Sequence, residues 1–246
     1  MKHIAHLIRT SLLILLGTLL FAPHTLQPVF APFAPSPDVA MYTQNSLAML
    51  TAQHLILVFS SLLISVVFGV GAGVFATRPS GRPFLPLSRA IANIGQTFPP
   101  VAVLALAISA VGFGFYPALI ALSLYGLLPI FEHTVTGIEQ TSPLVINAAQ
   151  GMGMTPAQQL YRVELPLALP LIIEGIKTAT VINIGTATIG ATVAAKCLGE
   201  VIIAGLQINN TAYVLQGGLM VGLIAVLIYD AIGWLQKRLT PQMSQE

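Results

Sequence analysis

The chain contains six apolar runs, each close to the length that a helix needs to cross a bilayer. About 20 mostly apolar residues span the hydrocarbon as a helix, because in lipid every backbone N–H and C=O must bond within its own segment. The runs predict spans over residues 4–22, 47–76, 91–110, 117–138, 167–193 and 212–235. The predicted fold class is therefore an all-α, polytopic membrane protein.

The composition agrees with a protein that lives in lipid. Hydrophobic residues make up 55% of the 246 residues and charged residues 7%, whereas soluble domains carry about 25% charged residues. The formal net charge is only +2, and the basic residues cluster at the edges of loops. No nucleic-acid partner is predicted. The single cysteine, Cys197, excludes an intramolecular disulfide.

Positive charges near the ends of the runs predict the orientation, because cytoplasmic loops are enriched in Lys and Arg. With six spans and both termini in the cytoplasm, eight of the ten basic residues fall on the cytoplasmic side: Lys2, Arg9, Arg78, Arg82, Arg89, Arg162, Lys237 and Arg238. The segments 23–45 and 111–116 contain none. A second interpretation stays open for the first run: it could be a signal peptide whose apolar stretch follows Lys2 and Arg9. The charge pattern favours a retained span.

The domain organisation is predicted to be simple. We find no internal repeat and no soluble segment, so residues 1–246 are expected to form one membrane domain, with a first span and a proline-rich outer loop in 1–46 and the core in 47–246. Five prolines between residues 23 and 37 predict an extended outer loop. Gly69 and Gly73 form a G-x-x-x-G face that predicts close packing of two helices.

Motifs for chemistry on a substrate are missing from the sequence. It contains no G-x-x-x-x-G-K-[ST] nucleotide loop, no HExxH and no nucleophile elbow. The histidines lack the spacing of metal ligands, and the neighbouring Glu132 and His133 point to different faces of a helix. We therefore predict no catalytic residue, no metal site and no cofactor bound by this chain.

One polar segment interrupts the apolar pattern between the fourth and fifth runs. It reads NAAQGMGMTPAQQLYRVELP, from Asn147 to Pro166. Residues 147–149 are predicted to open a short helix, Gly151 and Gly153 to permit a turn, and Thr155-Pro156 to cap a second, amphipathic helix that lies at the membrane surface. Pro166 and Pro170 are predicted to mark re-entry into the bilayer. This segment is interpreted as a docking element, with an ordinary structured loop as the alternative.

The spacing within this segment resembles the EAA signature of binding-protein-dependent ABC importer permeases: Glu-Ala-Ala, three residues, Gly, nine residues, Ile-x-Leu-Pro. Asn147 stands where Glu is usual, and Val163 where Ile is usual. The resemblance implies the type I ABC importer permease fold, with a cytoplasmic coupling helix that sits in a cleft of a separate ATPase subunit, where the ATP is bound. The residues it implicates in coupling are Asn147, Ala148, Ala149, Gly151, Gly153, Thr155, Val163, Leu165 and Pro166.

A narrower resemblance covers residues 89–210. The stretches QTFPPVAVLALA, GFGFYPALIALSLYGLLPI and KTATVINIGTATIGA look like permeases of osmoprotectant importers, which carry glycine betaine and related quaternary amines. This likeness implies a bacterial inner-membrane location, an extracytoplasmic solute-binding protein, a second permease subunit and membrane lipid as partners. One departure is residues 195–200, AKCLGE, where the family often has a small, Gly-rich segment. Bulk and charge there put the usual packing of that loop in question.

The fifth run is the predicted translocation path, because polar side chains avoid hydrocarbon. The candidates are Thr178, Thr180, Asn183, Thr186 and Thr188. Hydrogen bonding between helices, without solute contact, is the alternative. Lys177 lies in the same run, with Glu174 as its predicted partner. The predicted function is the pathway subunit for an osmoprotectant such as glycine betaine. The alternatives are a permease for another solute such as an amino acid, or a secondary transporter that needs no ATPase.

Overall fold

A computed structural model of the protein describes residues 2–239, and all regular secondary structure in that range is helical. Five helices are long: α1 (Lys2–Phe21), α3 (Leu47–Thr77), α6 (Phe115–Glu139), α9 (Leu165–Thr186) and α11 (Thr211–Leu239). The shorter ones are α2 (Gln27–Phe30), α4 (Leu85–Thr97), α5 (Pro100–Val111), α7 (Pro143–Gly151), α8 (Pro156–Gln159) and α10 (Gly199–Gln207). The predicted all-α class is confirmed.

Four helical segments of the described chain are long and apolar enough to cross a membrane: Leu47–Thr77, Phe115–Glu139, Pro156–Val193 and Thr211–Leu239. The number rises to six if each of two bent helix pairs is counted as one span. The pairs are His6–Phe21 with Pro23–Phe33, bent by 114°, and Arg82–Thr97 with Pro100–Val111, bent by 96°. The predicted six spans therefore match the upper count.

The third predicted span, 91–110, is wrong as a single straight helix. The chain breaks between α4 and α5, where Phe98 has extended backbone angles, φ −68° and ψ 136°. Pro99 disfavours the helical conformation of the residue before it, and neither Pro99 nor Pro100 has an N–H to continue the ladder. The tandem proline therefore turns one apolar run into two helices.

The segment after α1 is not the extended loop that its prolines predicted. It forms short helical pieces: the 3₁₀ turns Pro23–Leu26, Ala31–Phe33 and Pro37–Val39, together with α2. In each piece a proline occupies the first or second helical position. There the missing N–H costs nothing and the fixed φ already suits a helix. The prediction failed because these prolines begin helical turns.

The contacts divide the described chain into two compact units. The first comprises residues 2–61, 100–122 and 181–230. Its core contains the fully buried Leu57, Ile184 and Met220, and it includes Leu19 of α1. Arg9 of α1 forms an ion pair with Asp230 of α11, with Nη2 and Oδ1 3.0 Å apart. The ion pair thus ties the first helix to the last, and Leu19 places α1 in the core of this unit.

The second unit comprises residues 62–99, 123–180 and 231–239. Its helices approach closely at glycines. A Cβ on Gly73 of α3 would lie 2.8 Å from Cβ of Thr134 on α6, and one on Gly69 would lie 3.0 Å from Ile130. Gly175 of α9 meets α6 in the same way, 2.8 Å from the carbonyl oxygen of Pro129. The predicted close packing at Gly69 and Gly73 is confirmed.

Candidate functional site

The polar segment between the fourth and fifth runs begins with a helix that starts earlier than predicted. α7 starts at Pro143, and Asn147 to Ala149 lie in its second half. The prediction that these three residues open the helix is therefore wrong. Pro143 takes the first helical position, after an extended Ser142 with ψ 132°, and its fixed φ suits that place.

The end of α7 is a Schellman motif built on Gly153. The Met154 N–H donates to the Ala149 carbonyl, at 3.1 Å, and the Gly153 N–H donates to the Gln150 carbonyl, at 2.9 Å. These are the two bonds of that motif, and they satisfy carbonyls at the helix end. Gly153 has φ +77°, a left-handed conformation that glycine adopts without strain. The predicted turn is confirmed at Gly153, while Gly151 is the last residue of the helix.

The next helix is capped as the sequence predicted. The Gln158 N–H donates to Thr155 Oγ1 at 3.3 Å, and the Thr155 N–H donates to Gln158 Oε1 at 2.9 Å. This reciprocal capping box satisfies two backbone donors that the helix leaves free. The side-chain amide of Gln159 also donates to the Met154 carbonyl, at 2.9 Å. The turn between α7 and α8 is therefore held on both sides by local hydrogen bonds.

The second short helix continues without a break into the rest of the candidate membrane span Pro156–Val193. α8 continues through a π-helical turn, Leu160–Glu164, directly into α9. Pro166 and Pro170 lie inside this continuous helical run. In the π turn the Leu165 N–H donates to the Leu160 carbonyl, five residues back. Such a turn widens the helix just before Pro166, whose ring would crowd the carbonyl four residues earlier in a regular α-helix.

Large apolar side chains are exposed on this polar segment. Leu144 is 79% exposed, Met152 71% and Tyr161 69%, whereas Ala149 is only 1% exposed and anchors α7. Asn147 and Ala148 are also exposed. Leu144, Met152 and Tyr161 are not among the predicted coupling residues, although Tyr161 lies in the predicted amphipathic helix. The signal for them was the presence of apolar residues spaced through a polar stretch, a pattern typical of a contact surface.

The segment is also tied to the end of α3. The Glu164 carboxylate, at the last position of the π turn, pairs with the guanidinium of Arg78, which directly follows α3, at 2.5 Å. Their side chains are 12% and 26% exposed. In the sequence, Arg78 is part of the predicted cytoplasmic charge pattern, and no partner was predicted for Glu164. No local pattern predicts such a pair, since 86 positions separate the two residues.

The predicted pathway residues on and after α9 fall into two groups. Thr180 and Asn183 are fully buried within the chain. Thr180 donates to the Ile176 carbonyl at 2.7 Å, and Asn183 donates to Ser61 Oγ on α3 at 3.1 Å. The half-buried members are Thr178, Thr186 and Thr188. The Asn183 bond is the interhelical contact that the sequence left open as an alternative.

Other residues of this helical run are exposed or form an ion pair. Val181, Gly185 and Thr192 are exposed, so one side of the run between residues 181 and 192 lacks packing partners within the first unit. In the second unit, Lys177 Nζ lies 3.1 Å from the Glu174 carboxylate, and this confirms the predicted pair. Lys177 itself is buried.

A cluster of polar side chains in the first unit was not predicted. The Tyr42 hydroxyl donates to Glu200 Oε1 at 2.9 Å, and Asn45 donates to the same oxygen. The buried Gln216 amide accepts from the Tyr42 N–H and donates to the Ala40 carbonyl. Burial, and then the hydrogen bond to Glu200, raise the pKa of Tyr42 to about 12. These contacts clamp the segment before α3 onto α10 and α11.

The departure at residues 195–200 is accommodated by this cluster. Lys196 is exposed, Cys197 is buried with its Sγ 3.2 Å from the Ala187 carbonyl, and Glu200 is held by Tyr42 and Asn45. A Cβ on Gly199 would lie 1.8 Å from the Thr188 carbonyl oxygen. The charged residues of this loop therefore leave its packing intact.

These features define a class: a multi-pass helical membrane protein with an exposed polar segment between two of its long helices. The family of binding-protein-dependent transport system inner membrane components matches residues 65–245, well over half of the chain, and the protein belongs to that family. It is the permease subunit of an ABC importer in the inner membrane and not an enzyme, and a separate subunit binds ATP.

Similar proteins support the same family. The osmoprotectant import permease protein OsmY of Salmonella typhimurium is 38% identical over 198 residues, covering 80% of this chain and 84% of that protein. The choline transport system permease protein OpuBB of Bacillus subtilis is 36% identical over 191 residues, covering 78% and 87%. An inward-facing crystal form of the MetNI methionine ABC transporter has a TM-score of 0.66 at 22% identity, covering 81% and 96%. The last likeness bears on the fold alone.

Proposed function

We propose that this chain forms the translocation pathway for a quaternary-amine osmoprotectant such as glycine betaine. The observation that carries the proposal is the 36–38% identity, over most of both chains, to permeases named for osmoprotectant and choline transport. Glycine betaine and choline share a quaternary ammonium group, so one pathway of moderate polarity suits the whole class.

The coupling residues lie between Pro143 and Pro166, and this segment docks on the ATPase. Its exposed Leu144, Met152 and Tyr161 supply an apolar surface that water disfavours, and the Schellman turn and capping box make it rigid before any partner binds. Asn147 and Ala148 lie exposed on α7, Gly153 forms the turn, and Thr155 caps the next helix. Val163, Leu165 and Pro166 carry the segment into α9.

Two permease subunits, identical or related, face each other across the pathway. Support comes from the exposed side of the run after residue 180, where Gly185 and Thr192 lie in a stretch that the sequence places in the bilayer. Lipid favours large apolar side chains, whereas small and hydroxyl residues suit a helix interface or a water-filled path. Thr178, Thr186 and Thr188 line this path. Asn183 holds the helix that presents them through its bond to Ser61 of α3, while the buried Thr180 bonds within its own helix.

Selectivity for the cation resides in the solute-binding protein, which delivers the solute from outside. A quaternary ammonium cannot donate a hydrogen bond and is recognised tightly by aromatic faces. The stretch from Leu165 to Val193 contains no aromatic residue. Its threonine hydroxyls can donate to the carboxylate of a betaine, which provides weak and passing contacts suited to transport.

Residues 1–246 act as one membrane domain with both termini in the cytoplasm. The basic residues support this orientation, because they cluster at Arg78, Arg82, Arg89 and Arg162 and are missing from segments 23–45 and 111–116. The ATPase then drives alternating access: closure of its subunits on ATP moves the docked segments and shifts the pathway between outward-open and inward-open states.

The test is uptake by proteoliposomes that contain the permease, its ATPase and its binding protein. We expect ATP-dependent uptake of labelled glycine betaine that is competed by choline or carnitine and not by methionine. Competition by methionine alone would assign a different solute. Uptake by the permease alone, driven by an ion gradient without ATP, would favour a secondary transporter and contradict the proposal.

A further inference from the structure

We infer that the ion pair between Arg78 and Glu164 positions the coupling segment against α3, so that movement of the segment reaches three helices of the second unit. This inference rests on the proposed docking of the coupling segment, residues 143–166, on the ATPase. It assigns a role to two residues that the coupling signature does not include, since Glu164 is the variable position of Val163-Glu164-Leu165-Pro166.

The coupling segment is connected through the chain to two neighbouring helices. α7 follows α6 after three residues, and α8 passes through the π turn into α9. The segment is therefore adjacent in the chain to α6 and to α9 but not to α3. The pair between Glu164 and Arg78 supplies a third link, to α3, because Arg78 is the residue after the last residue of α3.

The helices α3, α6 and α9 pack closely on one another. α3 packs on α6 through Gly69 and Gly73, and α6 packs on α9 through Gly137, where a Cβ would lie 3.0 Å from Cβ of Ala168. Packed cores at such distances transmit displacement with little deformation. A link from the segment to α3 therefore joins it to a body that already includes α6 and α9.

The ion pair between Arg78 and Glu164 is more buried than two other ion pairs of the chain. Glu164 and Arg78 are more deeply buried than Arg9 and Asp230 or Arg89 and Glu132, whose side chains are all at least 33% exposed. Exposed ion pairs contribute little, whereas a buried charge that loses its partner is strongly destabilised. Glu164 also ends the π turn, a helix irregularity that is often found at functional sites. Its carboxylate thus holds the turn in one orientation.

The experiment uses the complete importer in proteoliposomes, with binding-protein-stimulated ATP hydrolysis and solute uptake measured together. We expect Arg78→Gln and Glu164→Gln each to lower the uptake per ATP hydrolysed about tenfold, within the roughly 5- to 150-fold range of coupling between sites. The charge reversal Arg78→Glu with Glu164→Arg should restore the ratio. Arg82→Gln is the control, because Arg82 is an exposed arginine four residues further along and its loss changes the net charge equally.

Each outcome decides the inference. Wild-type coupling in an assembled Arg78→Gln complex would overturn it, as would an equal loss in the Arg82→Gln control. If the single variants do not assemble, the reversed pair decides: restored coupling supports the inference, and failure to assemble or to couple overturns it. The proposed function fails separately, if the ATPase does not co-purify with the wild-type permease or if labelled betaine is not taken up.

Discussion

Two glycines in the coupling segment provide a matched pair for testing its turn. A Cβ at Gly151 or at Gly153 would meet no other atom within 4 Å, so neither position is crowded. They differ in backbone conformation: Gly153 has φ +77°, while Gly151 ends the helix α7. Substituting each by alanine therefore isolates the cost of the left-handed turn from any steric effect.

The magnitude follows from that conformation. An L-residue in the left-handed region costs about 1–2 kcal/mol, which lowers the population of the turn by a factor of about 5–30. Valine costs more because it is β-branched. Alanine at Gly151 is instead expected to favour the helix by about 0.5–1 kcal/mol. Asparagine at Gly153 should be nearly neutral, since it tolerates this conformation.

The assay is the uptake per ATP hydrolysed in the reconstituted importer, with membrane insertion checked by the yield of purified chain. Gly153→Val should insert normally and lose most of the coupling, Gly153→Ala should lose part of it, and Gly151→Ala should keep it. Normal transport by Gly153→Val would contradict a role of this turn in coupling. So would an equal loss in Gly151→Ala, because that would make the turn conformation irrelevant.

Three further predictions concern stability, each read from the thermal unfolding of the purified chain in detergent. Gly73→Ala should lower the free energy of unfolding by about 1–3 kcal/mol, because the added methyl would collide with Thr134. Gly71→Ala should not lower it, because a Cβ there meets nothing within 4 Å. Equal effects of the two substitutions would contradict the close packing at Gly73. Asp230→Asn should lower the free energy of unfolding by only about 0.2–1 kcal/mol, because Arg9 and Asp230 are each 40% exposed, and adding Arg9→Gln should cause little further loss; a further loss as large as the first would argue against the pair. In the folded chain the pKa of Tyr42 is raised from 10.0 to about 12. The contribution of Tyr42 to the free energy of unfolding is therefore complete below pH 10 and is lost as the pH rises towards 12. Tyr42→Phe should remove part of the alkaline loss of stability, and an unchanged pH profile would contradict this assignment.

Local patterns in the sequence predicted the long helices well. The runs 47–76, 117–138 and 212–235 correspond to Leu47–Thr77, Phe115–Glu139 and Thr211–Leu239, because a continuous apolar stretch in lipid has few alternatives to a helix. The capping box at Thr155 and the glycine face of α3 were also predictable, since each depends on residues three or four positions apart.

Proline was harder to interpret from the sequence, because its effect depends on where it falls in an element. The same residue breaks the third run at Pro99 and Pro100, starts helical turns at Pro23 and Pro37, and lies inside α9 at Pro170. Only the tertiary context decides among these outcomes.

Contacts between distant parts of the chain could not be predicted at all. Arg78 with Glu164, and Tyr42 with Glu200, are joined by packing and not by any sequence spacing. The exposed surface of Leu144 and Met152 was missed for a related reason: an apolar residue in a polar segment can turn inward or outward, and the helix register of α7 determines which.

Site-specific cross-linking in the assembled importer tests whether the coupling segment docks on the ATPase. Met152→Cys and Leu144→Cys place a thiol at the exposed surface of the segment 143–166, and Tyr116→Cys, 65% exposed at the start of α6, serves as the control. We expect the first two to cross-link to the ATPase and Tyr116→Cys not to do so. Cross-linking from Tyr116→Cys, with none from Met152→Cys or Leu144→Cys, would contradict this docking.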